Sequence, residues 1–115
     1  DLAVQHLNGA ATLLRNKTAA VGRVVTIELV GMESARDGNN AVVNVTVGGR
    51  QITRASTGSS SYLSSNDSRL SIGVGENDVA DLIEVRWPGG RKEVWHPVST
   101  SEVHRLIEGT GSAEN

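Results

Sequence analysis

Ile83-Glu84-Val85-Arg86-Trp87-Pro88-Gly89-Gly90-Arg91 decides the fold class. Apolar Ile83, Val85 and Trp87 fall on one side of an extended chain, and Glu84 and Arg86 on the other. That two-residue period belongs to a half-buried strand. Proline has no N–H for a ladder, so Pro88 ends the strand or sits at an edge. The two glycines permit the positive φ of a tight turn, and the chain restarts at Arg91.

The same alternation recurs on either side. In 24–30, Val25, Ile27 and Leu29 share a face. In 42–47, Val43, Val45 and Val47 do, and Gly48-Gly49 turns the chain into a partner strand over 50–56. Leu70, Ile72 and Val74 make a short strand closed by Gly75. Residues 81–87 and 91–95 form a hairpin, 98–102 read as a turn, and 103–107 as a last strand. Short strands every 8–12 residues or so, joined by hairpin turns, predict an all-β antiparallel sandwich of about seven to nine strands. Val25, Ile27, Leu29, Val43, Val45, Val47, Ile72, Ile83, Val85 and Trp87 are its predicted core. Asn8-Gly9, between the apolar runs 2–7 and 10–15, predicts a further hairpin, with a helix over 10–15 as its rival.

The 115 residues suffice for one domain. There is no cysteine, so neither disulfides nor thiolate metal sites arise. A net charge of −2 from 11 basic and 13 acidic residues gives no basic stripe for nucleic acid. No apolar run is long enough to span a membrane. The chain opens in mid-pattern at Asp1-Leu2-Ala3-Val4, as an excised domain would, so the lack of a signal peptide leaves export open.

No catalytic constellation is written in this order of residues. His6, His96 and His104 have no ligand spacing and read as surface histidines. The serines of Gly58-Ser59-Ser60-Ser61 lack the context of a nucleophile elbow. Asp37-Gly38-Asn39-Asn40 lacks the acidic start and the closing glutamate of a calcium loop, and reads as an Asx-rich turn. Three glycosylation sequons begin at Asn16, Asn44 and Asn66; one or two are expected by chance in a chain this rich in Asn, Ser and Thr, and they carry information only for a secreted eukaryotic protein. The best polar contact surface is Ser34, Arg36 and Asp37 together with Tyr62, Ser64 and Asn66. Tyr62 either anchors a partner or sugar from the loop, or folds down to plug one end of the sandwich.

Six segments in order carry a family resemblance: Ile27-Glu-Leu-Val-Gly31, Ser34-Ala-Arg-Asp-Gly38, Val43-Asn-Val-Thr-Val-Gly-Gly49, Tyr62-Leu-Ser64, Arg69-Leu-Ser-Ile-Gly-Val-Gly75 and Ile83-Glu-Val-Arg-Trp-Pro-Gly-Gly90. Over roughly 24–108 the chain resembles the ASPIC/UnbV domain, found in cartilage acidic protein and large exported bacterial proteins. The resemblance implies a companion of an FG-GAP/VCBS-type β-propeller, whose last strands residues 1–16 resemble. On that reading 1–21 are propeller remnant and linker, 22–109 the sandwich, and 110–115 a disordered tail. Asp1 matches the last residue of a propeller calcium loop. Calcium would then belong to the full-length propeller, with no cofactor or metal held in 1–115.

The resemblance supplies no catalytic residues. The expected function is a non-catalytic module of an extracytoplasmic or secreted protein, binding a protein or glycan through loops, or capping the propeller. The alternative is an enzyme or accessory domain of an extracytoplasmic or secondary-metabolic pathway. Leu2, Val4, Leu13 and Leu14 would leave an apolar hairpin edge, which either folds onto the sandwich or pairs with a second chain as a homo-oligomer.

Overall fold

The computed structural model describes residues 1–19 and 22–113. Within them the chain is all β. Two short strands come first, β1 (Leu2–Val4) and β2 (Thr12–Leu14). The long strands β3 (Arg23–Val30), β4 (Val42–Val47), β5 (Arg50–Ala55) and β6 (Leu70–Gly75) follow. Then come β7 (Val79–Ala80), β8 (Leu82–Arg86), β9 (Lys92–Trp95), β10 (Val98–Ser99), β11 (Val103–Ile107) and β12 (Ser112–Ala113). A three-stranded sheet, β11-β3-β6, faces a five-stranded sheet, β12-β9-β8-β4-β5, and β7 and β10 form a small pair.

All ten predicted core residues are buried between the sheets, joined by Ala41, Val74, Ala80, Val98 and Leu106. Removing this β-branched surface from water is the main favourable term in folding. The Trp87–Arg91 turn has the expected form. The Gly90 N–H donates to the Trp87 carbonyl at 2.9 Å, and the Trp87 N–H donates to the Arg91 carbonyl at 2.9 Å. Gly90 has φ +90°, the left-handed residue that completes a three-residue hairpin loop.

The structure departs from the sequence reading in several places. The sandwich is not wholly antiparallel, because β11 runs parallel to β3, with Val103 opposite Thr26 and Ile107 opposite Val30. The cause is chain direction. β9 finishes at the end of the sandwich where β3 begins, so the next strand to join the other sheet starts there too. Alternation reports which face is buried and is blind to direction.

The two packed sheets hold eight described strands, within the expected seven to nine, and the β1–β2 and β7–β10 pairs bring the described total to twelve. Three of these strands, β7, β10 and β12, are two-residue pieces too short to show a period. One of them, β10, lies in the segment 98–102 that reads as a turn; it pairs with β7. The expected tail also differs at its start, since Ser112 and Ala113 pair with Val94 and Glu93. Glu114 and Asn115 lie outside the described residues, as do Ala20 and Val21 of the expected linker.

The N-terminal hairpin forms, with Leu2 opposite Leu14 and Val4 opposite Thr12. Its connection spans seven residues rather than the Asn-Gly pair alone. Within it His6 Nε2 lies 3.0 Å from Thr12 Oγ1. Leu2, Leu7, Leu13 and Leu14 are exposed, so they do not pack onto the sandwich.

Candidate functional site

The strand directions collect four connections at one end of the sandwich. β3 ends there and β4 begins there, which places the loop 31–41. β5 ends beside the start of β4, with Ala55 opposite Val42, which places 56–69. β8 ends opposite Val42 as well, which places the turn 87–91. The parallel course of β11 beside β3 then delivers Glu108 and Gly109 to the same end.

Glu108 organises this end. Its Oε2 accepts from the backbone N–H groups of Met32, Glu33 and Ser34 at 2.9, 2.9 and 2.8 Å, and its Oε1 accepts from Ser34 Oγ at 2.9 Å. Three successive amides aimed at one oxygen form an anion-binding nest, here filled by the chain's own carboxylate. Burial by itself would push the Glu108 carboxyl up. The amides of Ser34, Met32 and Glu33 and the Ser34 hydroxyl outweigh it and hold the group at about 2.

The loop folds tightly to reach this geometry. The Gly31 N–H donates to the Arg36 carbonyl at 3.0 Å, and a Cβ on Gly31 would collide with the Ala35 and Ser34 carbonyl oxygens. Those are backbone atoms that cannot swing away. Gly31→Ala is therefore expected to cost about 1–3 kcal/mol, read as a lower urea midpoint with unchanged slope.

A second buried carboxylate, Glu93, ties the opening motif to the same end. Its Oε2 accepts from the Trp87 indole Nε1–H at 2.8 Å, and both its oxygens accept from the Gly109 N–H, at 2.9 and 3.0 Å. Arg91 bridges to Glu33 at 3.3 Å across the surface. Sequence reasoning missed Glu93 and Glu108. The signal was present: alternation puts Glu93 in phase with Trp95 and Glu108 in phase with Leu106, and an acid on the inward phase needs partners.

The six candidate contact residues do not gather in one place. Ser34 belongs to the Glu108 clamp, so its hydroxyl is spent on the fold. Arg36 and Asp37 line a hollow of about 460 Å³ with Glu28, Ser68 and Arg105. Asp37 and Ser64 also line a shallow cleft of about 560 Å³ between the loops 31–41 and 56–69, with Asn39, Asn40, Thr57 and Ser59. Backbone bonds stitch these two loops together, Asn40 N–H to the Ser56 carbonyl at 2.8 Å and Ser56 N–H to the Ala41 carbonyl at 2.9 Å. Asn66 braces its own loop, donating from Nδ2 to Ser60 Oγ at 2.9 Å.

Tyr62 is 89% exposed and its neighbour Leu63 is 90% exposed, so the ring is not a plug for the sandwich. The turn beneath them is locked, because the Ser61 carbonyl accepts from Ser64 N–H, Ser64 Oγ and Ser59 Oγ. Leu63 sits at φ +50°, a left-handed conformation that an unbranched-at-Cβ side chain adopts only at a cost of roughly 1–3 kcal/mol. At the base of this loop Arg69 clamps Asp67. The side-chain hydrogen bond from Arg69, then the Arg69 backbone N–H, hold the Asp67 carboxyl at about 2.

Among the described residues no buried side-chain nitrogen or oxygen lacks a hydrogen-bond partner. Nor does any group of three or more His, Cys, Asp or Glu among them converge as metal ligands. His96 is exposed, and the His104 ring lies 2.6 Å from the Ser99 carbonyl, away from the loop end. Asp1 Oδ1 accepts from the Asn16 N–H at 2.8 Å and so helps close the N-terminal hairpin.

A family model described as "ASPIC and UnbV" matches residues 31–113. No curated protein and no solved structure matches the chain. The matched span begins at Gly31 and takes in both loops, the Trp87–Arg91 turn, Glu93 and Glu108.

Proposed function

The chain belongs to the ASPIC and UnbV family, and from that we propose that it is a non-catalytic interaction module of an exported, propeller-containing protein. Domains of this family are companions of propeller domains and occur in exported proteins. The finer reading is that the joined loops 32–40 and 57–67 bind an extracellular protein or glycan. Arg36, Asp37, Tyr62 and Ser64 make the contacts, while Ser34 and Asn66 brace the surface.

The observation that carries this reading is the pairing of the loops. Two segments distant in sequence are hydrogen-bonded into one open polar cleft, with Tyr62 presented beside it on a locked turn. Loops held on a rigid sandwich are a common recognition surface. The two buried carboxylates support a binding module over an enzyme. Glu93 and Glu108 spend their oxygens on amide, indole and hydroxyl donors, which leaves neither poised for proton transfer.

The test is a titration of the isotopically labelled chain with soluble oligosaccharides and with candidate extracellular proteins, followed by amide shifts. Shifts should cluster at 36–40 and 57–65. Affinity for a small glycan should be on the order of micromolar to millimolar. Tyr62→Ala should weaken binding by about tenfold, roughly 1.4 kcal/mol, and leave the melting temperature unchanged, because the ring touches solvent. Shifts confined to the sheet faces would overturn the assignment.

A further inference from the structure

Asn8-Gly9 has a hairpin reading that the fold only half uses, since the ladder stops at Val4 and Thr12 and leaves both residues in the connecting loop. We propose that Asn8 is a site of spontaneous, age-dependent deamidation, which converts this loop to aspartate and isoaspartate. The reaction needs the backbone nitrogen of the next residue to reach the Asn side-chain carbonyl. The Gly9 nitrogen attacks Asn8 Cγ, the Cγ–Nδ2 bond breaks, and ammonia leaves with the proton. Water then opens the five-membered succinimide at either carbonyl. One water is consumed and one ammonia released, and no oxidant or catalyst is required.

Three features of the structure favour this at Asn8. Asn8 and Gly9 are both exposed. Asn8 lies in a turn outside the β1–β2 ladder, so its backbone is free of strand pairing. Glycine carries no Cβ to block the approach.

The other sites of similar chemistry are held. Asp37-Gly38 could form the same succinimide. There the Gly38 N–H is bonded to the Ala35 carbonyl at 2.8 Å, and Gly38 is buried against Leu29 at φ +64°. Asn44 donates from Nδ2 to Glu84 Oε1 at 2.9 Å within a strand, and Asn77 donates from Nδ2 to the Val74 carbonyl at 2.8 Å. Asn40 precedes an amide, that of Ala41, that is bonded to the Gly38 carbonyl at 3.0 Å. The fold therefore directs the chemistry to the N-terminal hairpin and shields the candidate binding loop.

Each event takes the net charge from −2 to −3. Isoaspartate adds a backbone methylene outside the β1–β2 ladder, so the strand pairing should persist.

The experiment incubates the whole chain at mildly alkaline pH and follows peptides by mass spectrometry. A gain of about 1 Da per molecule should accumulate at residue 8 before any other asparagine, with isoaspartate as a product. Asn8→Gln, and separately Gly9→Ala, should slow it by on the order of tenfold or more. The same chain in urea separates a structural effect from a sequence effect. Unfolding should leave the rate at Asn8 nearly unchanged and should raise isomerisation at Asp37 several-fold. Slower deamidation at Asn8 in the folded chain than in urea, or faster loss at another folded asparagine, would overturn the proposal.

Discussion

Val45→Asp is expected to leave the chain unfolded. Val45 has no accessible surface and lies in an interior strand of its sheet, between Ile52 on β5 and Ile83 on β8. The substitution forfeits about 1.5–3 kcal/mol of apolar burial. It also places a carboxylate within the apolar core, at a cost of several kcal/mol if unpaired. Together these match most of the roughly 5–15 kcal/mol that stabilises a domain of this size. Far-UV circular dichroism and amide dispersion should both report a disordered chain. Val45→Ala is the control, since it keeps the fold and should cost about 2–3 kcal/mol as a cavity. A native spectrum from Val45→Asp would place Val45 outside the core and remove the basis of the two-sheet packing.

Glu108→Ala has the next largest effect. It leaves the Met32, Glu33 and Ser34 amides and the Ser34 hydroxyl without their acceptor, and the expected loss is roughly 3 kcal/mol. Hydrogen exchange should show 32–34 opening first, because those three amides lose their acceptor. The charge has a pH signature. Glu108 titrates near 2 in the fold against an ordinary value of 4.5, so the unfolded chain takes up the proton first as pH falls. Its contribution is complete above about pH 4.5 and declines as pH drops from there towards 2. Asp67 shifts in the same direction, but it is exposed and screened and should add little to the slope. Denaturant melts across that window should therefore be steeper with pH in the parent than in Glu108→Gln, which cannot titrate. Equal slopes would mean that the clamp does not hold a carboxylate.

Tyr62 shows where sequence reasoning about the site stopped. A lone aromatic in a Ser-rich loop reads first as a plug and second as an anchor, since the loop residues carry no period. The turn locked by Ser59, Ser61 and Ser64 decides it, and turns the ring outward. Ser34 shows the opposite error. As a polar loop residue it reads as a contact group, yet its hydroxyl belongs to a carboxylate 74 positions away. Neither contact lies within the local window on which such readings depend.

The sequence by itself determined the long strands and their inward faces. A side chain's side of a strand follows from its parity, and parity is local; Val25, Val43, Ile72 and Trp87 needed no neighbour to declare themselves. It determined the Gly48-Gly49 and Trp87–Arg91 turns for the same reason, since proline and glycine act on their own backbone. Only the tertiary structure decided that β11 runs parallel to β3, and with it that Glu108 meets the amides of 32–34 and that two loops share one cleft. Strand direction and partner choice depend on where the chain re-enters the sandwich, a property of the whole path that no run of residues encodes.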